Sequence, residues 1–307
     1  MVSLIRERGD VYAVDLLDMR NDVVFRSFFG DRRNNKLLLD FLNAILGGTI
    51  SSVILTDPNL ELTHSADKMS VMDIRVMTDQ GEQINVEIQV RGHQAFPERM
   101  LMYWSKMYAS QDESGKDYIL LNKAIQIVIT NFKMLRKAHF HSMFQLIDPE
   151  DGTVFSDHAE IHVLELTKIG IQHIQDTDSL EKWLLFLKGD KQTKEALAME
   201  SSTMKEAFEE IQRLSQDPKT RAIAISREIQ LKDQMQREYD AMERGIERGI
   251  ERGIERGIEK GREEATAERD RVIVLNMHMK QTAPTAIAEL TGITLDNVMR
   301  IIESNVH

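Results

Sequence analysis

Residues 71–90, VMDIRVMTDQGEQINVEIQV, constrain this chain more than any other stretch, because they specify a hairpin together with its register. In INVEIQV, Ile84, Val86, Ile88 and Val90 alternate with Asn85, Glu87 and Gln89. That is the pattern of a strand with one buried face. VMDIRVM is a second β-rich run, and TDQGE joins the two. A three-residue loop, Asp79-Gln80-Gly81, fits a type I turn followed by glycine in the left-handed region. Thr78 then pairs with Glu82, and facing residue numbers sum to 160. Asp73 faces Glu87, and Arg75 faces Asn85. A two-residue turn at Gln80-Gly81 would instead set Asp73 opposite Ile88, on the other face. The glycine-bulge turn is the expected one, and it gathers Asp73, Glu87 and Gln89 on one side of the sheet.

Two facing carboxylates repel unless a positive charge lies between them. Magnesium suits the position, since it accepts one or two carboxylates completed by waters and phosphate oxygens. Such an ion polarises a phosphoryl oxygen and makes water a better nucleophile. The other reading is a solvated hairpin whose acids are neutralised by Arg75 or Lys68. Spacing alone leaves both open.

The flanking sequence predicts an α/β unit. Residues 19–46 read as helix in two pieces, the first with Asn21 or Asp22 as cap and Gly30 as its end, the second with apolar residues at helical spacing and Gly47-Gly48 as stop. SSVILTDPNLEL, the two hairpin runs and AIQIVIT read as strands. PERMLMYWSKMYASQ (97–111) reads as a helix between the last two, and EIHVLELT (160–167) as a further strand. The order implies a mixed sheet flanked by helices, followed by a helical C-terminal region. The expected divisions are 19–178, 179–242, 243–265 and 276–304.

The net charge of −11 argues against a nucleic-acid binder until it is located. Residues 1–140 hold 17 Lys+Arg against 18 Asp+Glu, while residues 141–307 hold 22 against 32. The acidity belongs to the back half, and a basic groove in the front half is allowed. The chain has no cysteine, which removes disulfides and thiolate chemistry and suits a reducing cytoplasm. No apolar run reaches membrane-span length, and MVSLIRERGDVY lacks the core of a secretory signal. The expectation is a cytoplasmic protein with no membrane association.

The ordered set Asp73, then Glu87-Ile88-Gln89, then a helix, resembles the restriction-endonuclease-like PD-(D/E)XK superfamily. More narrowly, DVVFRSFFG, LLLDFLNAILGG, MDIRV, NVEIQV and ERMLMYWSKMYASQ resemble the recombination-promoting nuclease (Rpn) family, also labelled transposases. The similarity runs from about Asp22 to the low-complexity repeat and weakens after about residue 135. It implies a magnesium-dependent DNA endonuclease, with manganese or calcium as substitute ions, acting in recombination, mobile DNA or phage defence. Asp73 and Glu87 would be metal ligands and, with Gln89, the catalytic set. Gln89 stands where the superfamily more often has lysine; this family commonly carries the glutamine. An amide cannot supply positive charge or a proton, so more of the electrostatics falls to the metal. The family also has an acid in the first helix, matching Asp22, which reads equally well as a helix cap. The competing function is a non-catalytic DNA- or protein-binding module on a nuclease-like fold.

Other groups are weaker candidates. Arg99, Tyr103 and Lys106 share a helix face and could meet phosphate, although an exposed face is the commoner reading. Gln111 joins the set by family pattern only. His139 and His141 resemble a ligand pair, but ordinary polar surface is favoured because no further cluster lies nearby. GIERGIERGIERGIEKG (245–261) repeats every four residues. With residues 243 and 244 it holds five Glu and five Arg+Lys, so it is a poor phosphate clamp. Its isoleucines drift about 40° per step around a helix. Each mid-helix glycine costs about 1 kcal/mol against alanine. The repeat reads as a spacer or self-association helix, giving a homo-oligomer through the C-terminal helices, with a regulatory protein partner also allowed. The tail suggests two short helices around TGIT. Their small core is Ala286, Ile287, Leu290, Ile293, Val298 and Ile301, a helix-turn-helix or docking module.

Overall fold

The structure is a computed structural model and describes residues 15–48, 50–56, 73–92, 95–111, 117–170 and 177–305. The chain divides into two units, one ending at Gln230 and one beginning at Leu231.

The first unit opens with α1 (Asp22–Phe29) and α2 (Asn35–Leu46). Asn21, not Asp22, caps α1, its side chain accepting from the Val23 N–H. Gly47, at φ +86°, ends α2 in the left-handed conformation expected of a helix stop. Six strands follow: β1 (Val53–Leu55), β2 (Ile74–Thr78), β3 (Gln83–Gln89), β4 (Ala124–Thr130), β5 (His141–Ile147) and β6 (Val154–Glu165). They form one sheet in the order β1-β2-β3-β4-β6-β5. β3, β4 and β6 run parallel; the other pairs are antiparallel. The parallel step from β3 to β4 requires a crossover, which α3 (Phe96–Ala109) provides. This is the mixed sheet flanked by helices that the element order predicted, and it agrees with the restriction-endonuclease-like α/β fold that the resemblance implied.

Helices cover both faces of the sheet. On one face Ile84, Val86, Ile88, Ile125, Ile127 and Ile129 share a core with Phe25, Phe28, Phe29, Phe41, Trp183 and Phe186. The last two come from α4 (Ser179–Lys188), which is followed by α5 (Lys191–Glu200) and α6 (Ser202–Gln216). Trp183 keeps its indole N–H satisfied by donating to Asp40 Oδ1 at 2.7 Å. On the other face Phe96 and Met100 of α3 lie on Val128, and Met107 packs with Ala124. β3 is therefore buried on both faces from Ile84 to Ile88, not on one as its alternation suggested. The hairpin of β5 and β6 was not anticipated as such. His141 lies in β5, where its Nε2 is 2.8 Å from Nδ1 of His162, so its partner is that residue and not His139.

The last helix of the first unit begins at Pro218. It belongs to α7 (Pro218–Met279), most of which lies in the second unit. The ERGI repeat is helical within α7, with Ile246, Ile250, Ile254 and Ile258 between 53% and 59% exposed. The tail forms α8 (Pro284–Thr291) and α9 (Leu295–Ser304). Its core is Ile287 and Val298 with Val274 from the end of α7. Leu290, expected inside, is 73% exposed. Among the described residues no helix is long and apolar enough to cross a membrane.

Candidate active site

The site is built on the β2/β3 hairpin. Ile74 pairs with Val86, Arg75 with Asn85, Val76 with Ile84 and Met77 with Gln83. The Thr78 N–H donates to the Glu82 carbonyl at 2.9 Å, and Gly81 has φ +83°. This is the register of the three-residue turn. Asp73 directly precedes β2 and reaches across the hairpin, its Oδ2 accepting from the Ile88 N–H at 2.9 Å. Asp73 and Glu87 are thereby brought together at the end of the hairpin away from the turn.

The polar row on β3 is not a wet surface. Asn85 is fully buried and donates from Nδ2 to Gln126 Oε1 at 3.0 Å. Glu87 is 2% exposed. Asn85 Oδ1 and Glu87 Oε2 are buried without a hydrogen-bond partner. Leaving such acceptors unmatched costs roughly 1–3 kcal/mol each. Burial, and then the neighbouring Asp73 charge, push the Glu87 carboxyl up to about 8, against the pull of Arg99 and Asn85. Burial also raises Asp73, to about 6, opposed by the Ile88 N–H, Arg26 and Arg227, while Asp22 adds to the rise. Burial and mutual repulsion thus push both carboxyls of the pair above the ordinary carboxylate range.

Those observations test the fit of a divalent cation. An unmatched carboxylate oxygen beside a second carboxylate is what a hard, oxygen-seeking ion would satisfy. Among the described residues no three His, Cys, Asp or Glu side chains converge as a ligand cluster. The donor set is thus two carboxylates, which suits magnesium with waters and phosphate oxygens completing its shell.

The remaining candidates are dispersed. Gln89 ends β3 half-buried, beside Thr130 of β4. Arg99 is exposed near the start of α3, its guanidinium 5.0 Å from the Phe96 ring centre and 5.8 Å from that of Tyr103. Tyr103 is half-buried against Phe96 and Met100. Gln111 lies away from the carboxylates: its amide donates to the Asn122 carbonyl and accepts from the Asn122 N–H, both at 2.9 Å. Asn122 in turn lies against Gly81 at the turn end of the hairpin. Arg75 donates to Gln83 Oε1 and Ser110 Oγ. Lys68 lies outside the described residues.

Asp22 is held by Arg227 of α7. Nε lies 3.0 Å from both carboxylate oxygens, and Nη2 is 2.8 Å from Oδ2. One turn along α1, Arg26 Nε lies 3.8 Å from Asp73 Oδ1. The sequence reading missed both arginines. Arg26 is four residues after Asp22 and could have been placed on its helix face. Arg227, 205 residues away in the chain, gave no local signal.

A family profile described as PD-(D/E)XK nuclease family transposase matches residues 19–240. No curated protein and no solved structure matches the chain.

Proposed function

The chain belongs to the PD-(D/E)XK nuclease family transposases, and from that premise we propose that it is a metal-dependent endonuclease hydrolysing DNA phosphodiester bonds at the Asp73/Glu87 pair. The observation that carries this reading is the buried pair itself, with an unmatched oxygen on Glu87 beside the Asp73 carboxylate. Asp73 and Glu87 would hold the ion. Magnesium, when bound, supplies polarisation of the phosphoryl oxygen and charge compensation, and manganese or calcium can take its place.

The other contributions come from the chain. Asp73 is fixed by the Ile88 N–H, so its second oxygen has a defined direction. Gln89, on the same strand face two residues beyond Glu87, orients a water or a phosphate oxygen through its amide. It neither donates a proton nor adds charge. Arg99 offers a guanidinium to a backbone phosphate from α3, steadied by two aromatic rings. Water attacks in line with the leaving oxygen. DNA is the partner this chemistry requires, and the exposed isoleucines of the ERGI repeat support self-association through the C-terminal helices.

The test is cleavage of supercoiled plasmid by the purified chain with magnesium, manganese or EDTA, beside Asp73→Ala and Glu87→Ala. Metal-dependent nicking that both variants lose is the expected outcome. Absence of cleavage with every metal, together with DNA binding that neither variant alters, would refute it and leave a binding module.

A further inference from the structure

Gln89 leaves a charge deficit at the pair. Asp73 lies beside Glu87, and Asp22 adds its charge to Asp73 from α1, while the hairpin sequence brings no lysine to the pair. Among the described residues, Arg26 on α1 and Arg227 on α7 act on Asp73, and Arg99 on α3 acts on Glu87. Arg227 is the most firmly placed. The start of α7 is fastened to the segment before α1, with Asn21 Nδ2 donating to the Ala224 carbonyl at 3.0 Å and Arg221 Nη1 to the Asp15 carbonyl at 3.0 Å. Ala224 is buried in the main core. The Arg227 side chain, still 38% exposed, then meets Asp22 through two prongs.

We propose that Arg227, oriented by Asp22 and working beside Arg26, binds a backbone phosphate of the nucleic acid next to the Asp73/Glu87 pair, so that α7 provides the positive charge that Gln89 lacks. The assignment rests on the nuclease reading of that pair. A guanidinium has five N–H groups in a planar fork. Pairing with Asp22 through Nε and Nη2 uses two of them and fixes the plane. The rest are left to form a charge-assisted, two-pronged contact with phosphate oxygens. Asp22 is then a positioning residue, not a metal ligand. An ion pair that merely fastened α7 would contribute little at this exposure and would have no effect on nucleic acid.

The experiment is binding of a labelled DNA duplex to the full chain in EDTA, read by fluorescence anisotropy across a series of KCl concentrations. Arg227→Gln should weaken binding several-fold and lower the slope of log K against log salt by about one unit. Arg227→Lys should keep the slope. Arg221→Gln, two turns earlier on the same helix, should change neither and controls for the docking of α7. Asp22→Asn removes a negative charge, which on electrostatics alone would tighten binding; a positioning role predicts weaker binding instead. An Arg227→Gln curve that overlies the wild type, tighter binding by Asp22→Asn, or no binding by the wild type to duplex or single strands would overturn the proposal. Plasmid cleavage separates the two readings. A chain that binds through Arg227 but never cuts sinks the nuclease alone, and one that cuts with an unchanged Arg227→Gln curve sinks this assignment alone.

Discussion

Glu87→Gln should stabilise the metal-free chain at alkaline pH and have no such benefit in acid. The sign follows from the direction of the shift. A carboxyl raised from 4.5 to about 8 in the folded state contributes most below pH 4.5. That contribution is lost as pH climbs through about 8, because burying the ionised form beside Asp73 opposes folding. The gap, taken at about 1.4 kcal/mol per unit, bounds the loss at roughly 5 kcal/mol. Glutamine keeps the shape and cannot ionise, but its amide needs partners of its own, at a cost of about 1–3 kcal/mol. The variant should therefore match the wild type, or fall slightly below it, at about pH 5, and exceed it by roughly 2–4 kcal/mol at about pH 9. Urea unfolding in EDTA at a series of pH values measures this directly. A stability difference that stays constant across that range would refute the reasoning, since it would mean that Glu87 titrates normally. Repeating the series with magnesium adds a second reading: the wild type should gain stability by ligand linkage, and the variant should not.

Asp73→Asn should abolish at least about 100-fold of metal-dependent cleavage, while an NMR titration of Glu87 moves downward because the repelling charge is gone. Gly81→Val should destabilise by about 1–3 kcal/mol in urea, since φ there is +83° and an added Cβ would meet the Asn122 side chain at 3.0 Å. Alanine at Gly249, Gly253 and Gly257 should raise the helicity and melting point followed by circular dichroism, by about 1 kcal/mol per site, because nothing lies within 4 Å of those positions. A drop in melting point together with loss of self-association in sedimentation would show instead that the glycines pack against a second copy.

The hairpin register was legible because a turn of known length fixes every pair behind it, so Asp73 could be set against Glu87 from numbers alone. What lay above the pair was not legible. Alternation reports that a strand has two unlike faces but not what covers each, and α3 buries the polar one. The same limit explains Leu290, whose spacing fits an apolar stripe on a helix too short for the stripe to say where the cover ends. Asn21 and Asp22 both suit a cap, and only the approach of Arg227 separates their roles. That approach depends on a tertiary contact across 205 residues of chain, which no local pattern encodes. β5 went unread for a related reason: at the edge of the sheet it has little apolar demand, and HSMFQLI mixes polar and apolar residues.

The fastening of α6 and α7 onto the start of α1 and the segment before it also sets an order of events during synthesis. Leu17 donates its N–H to Ser215 Oγ, Asn21 reaches Ala224 and Asp22 reaches Arg227, across separations of 198, 203 and 205 residues. At ribosomal speeds of about 5–20 residues per second, α1 waits roughly 10–40 s for those partners to emerge. Through that interval Phe25, Phe28 and Phe29 have no Trp183 or Phe186 to close over them for most of the wait. The nascent chain thus presents an aromatic surface that a chaperone could hold, and a chain ending before Arg227 would carry the hairpin carboxylates with Asp22 left unpaired by that arginine.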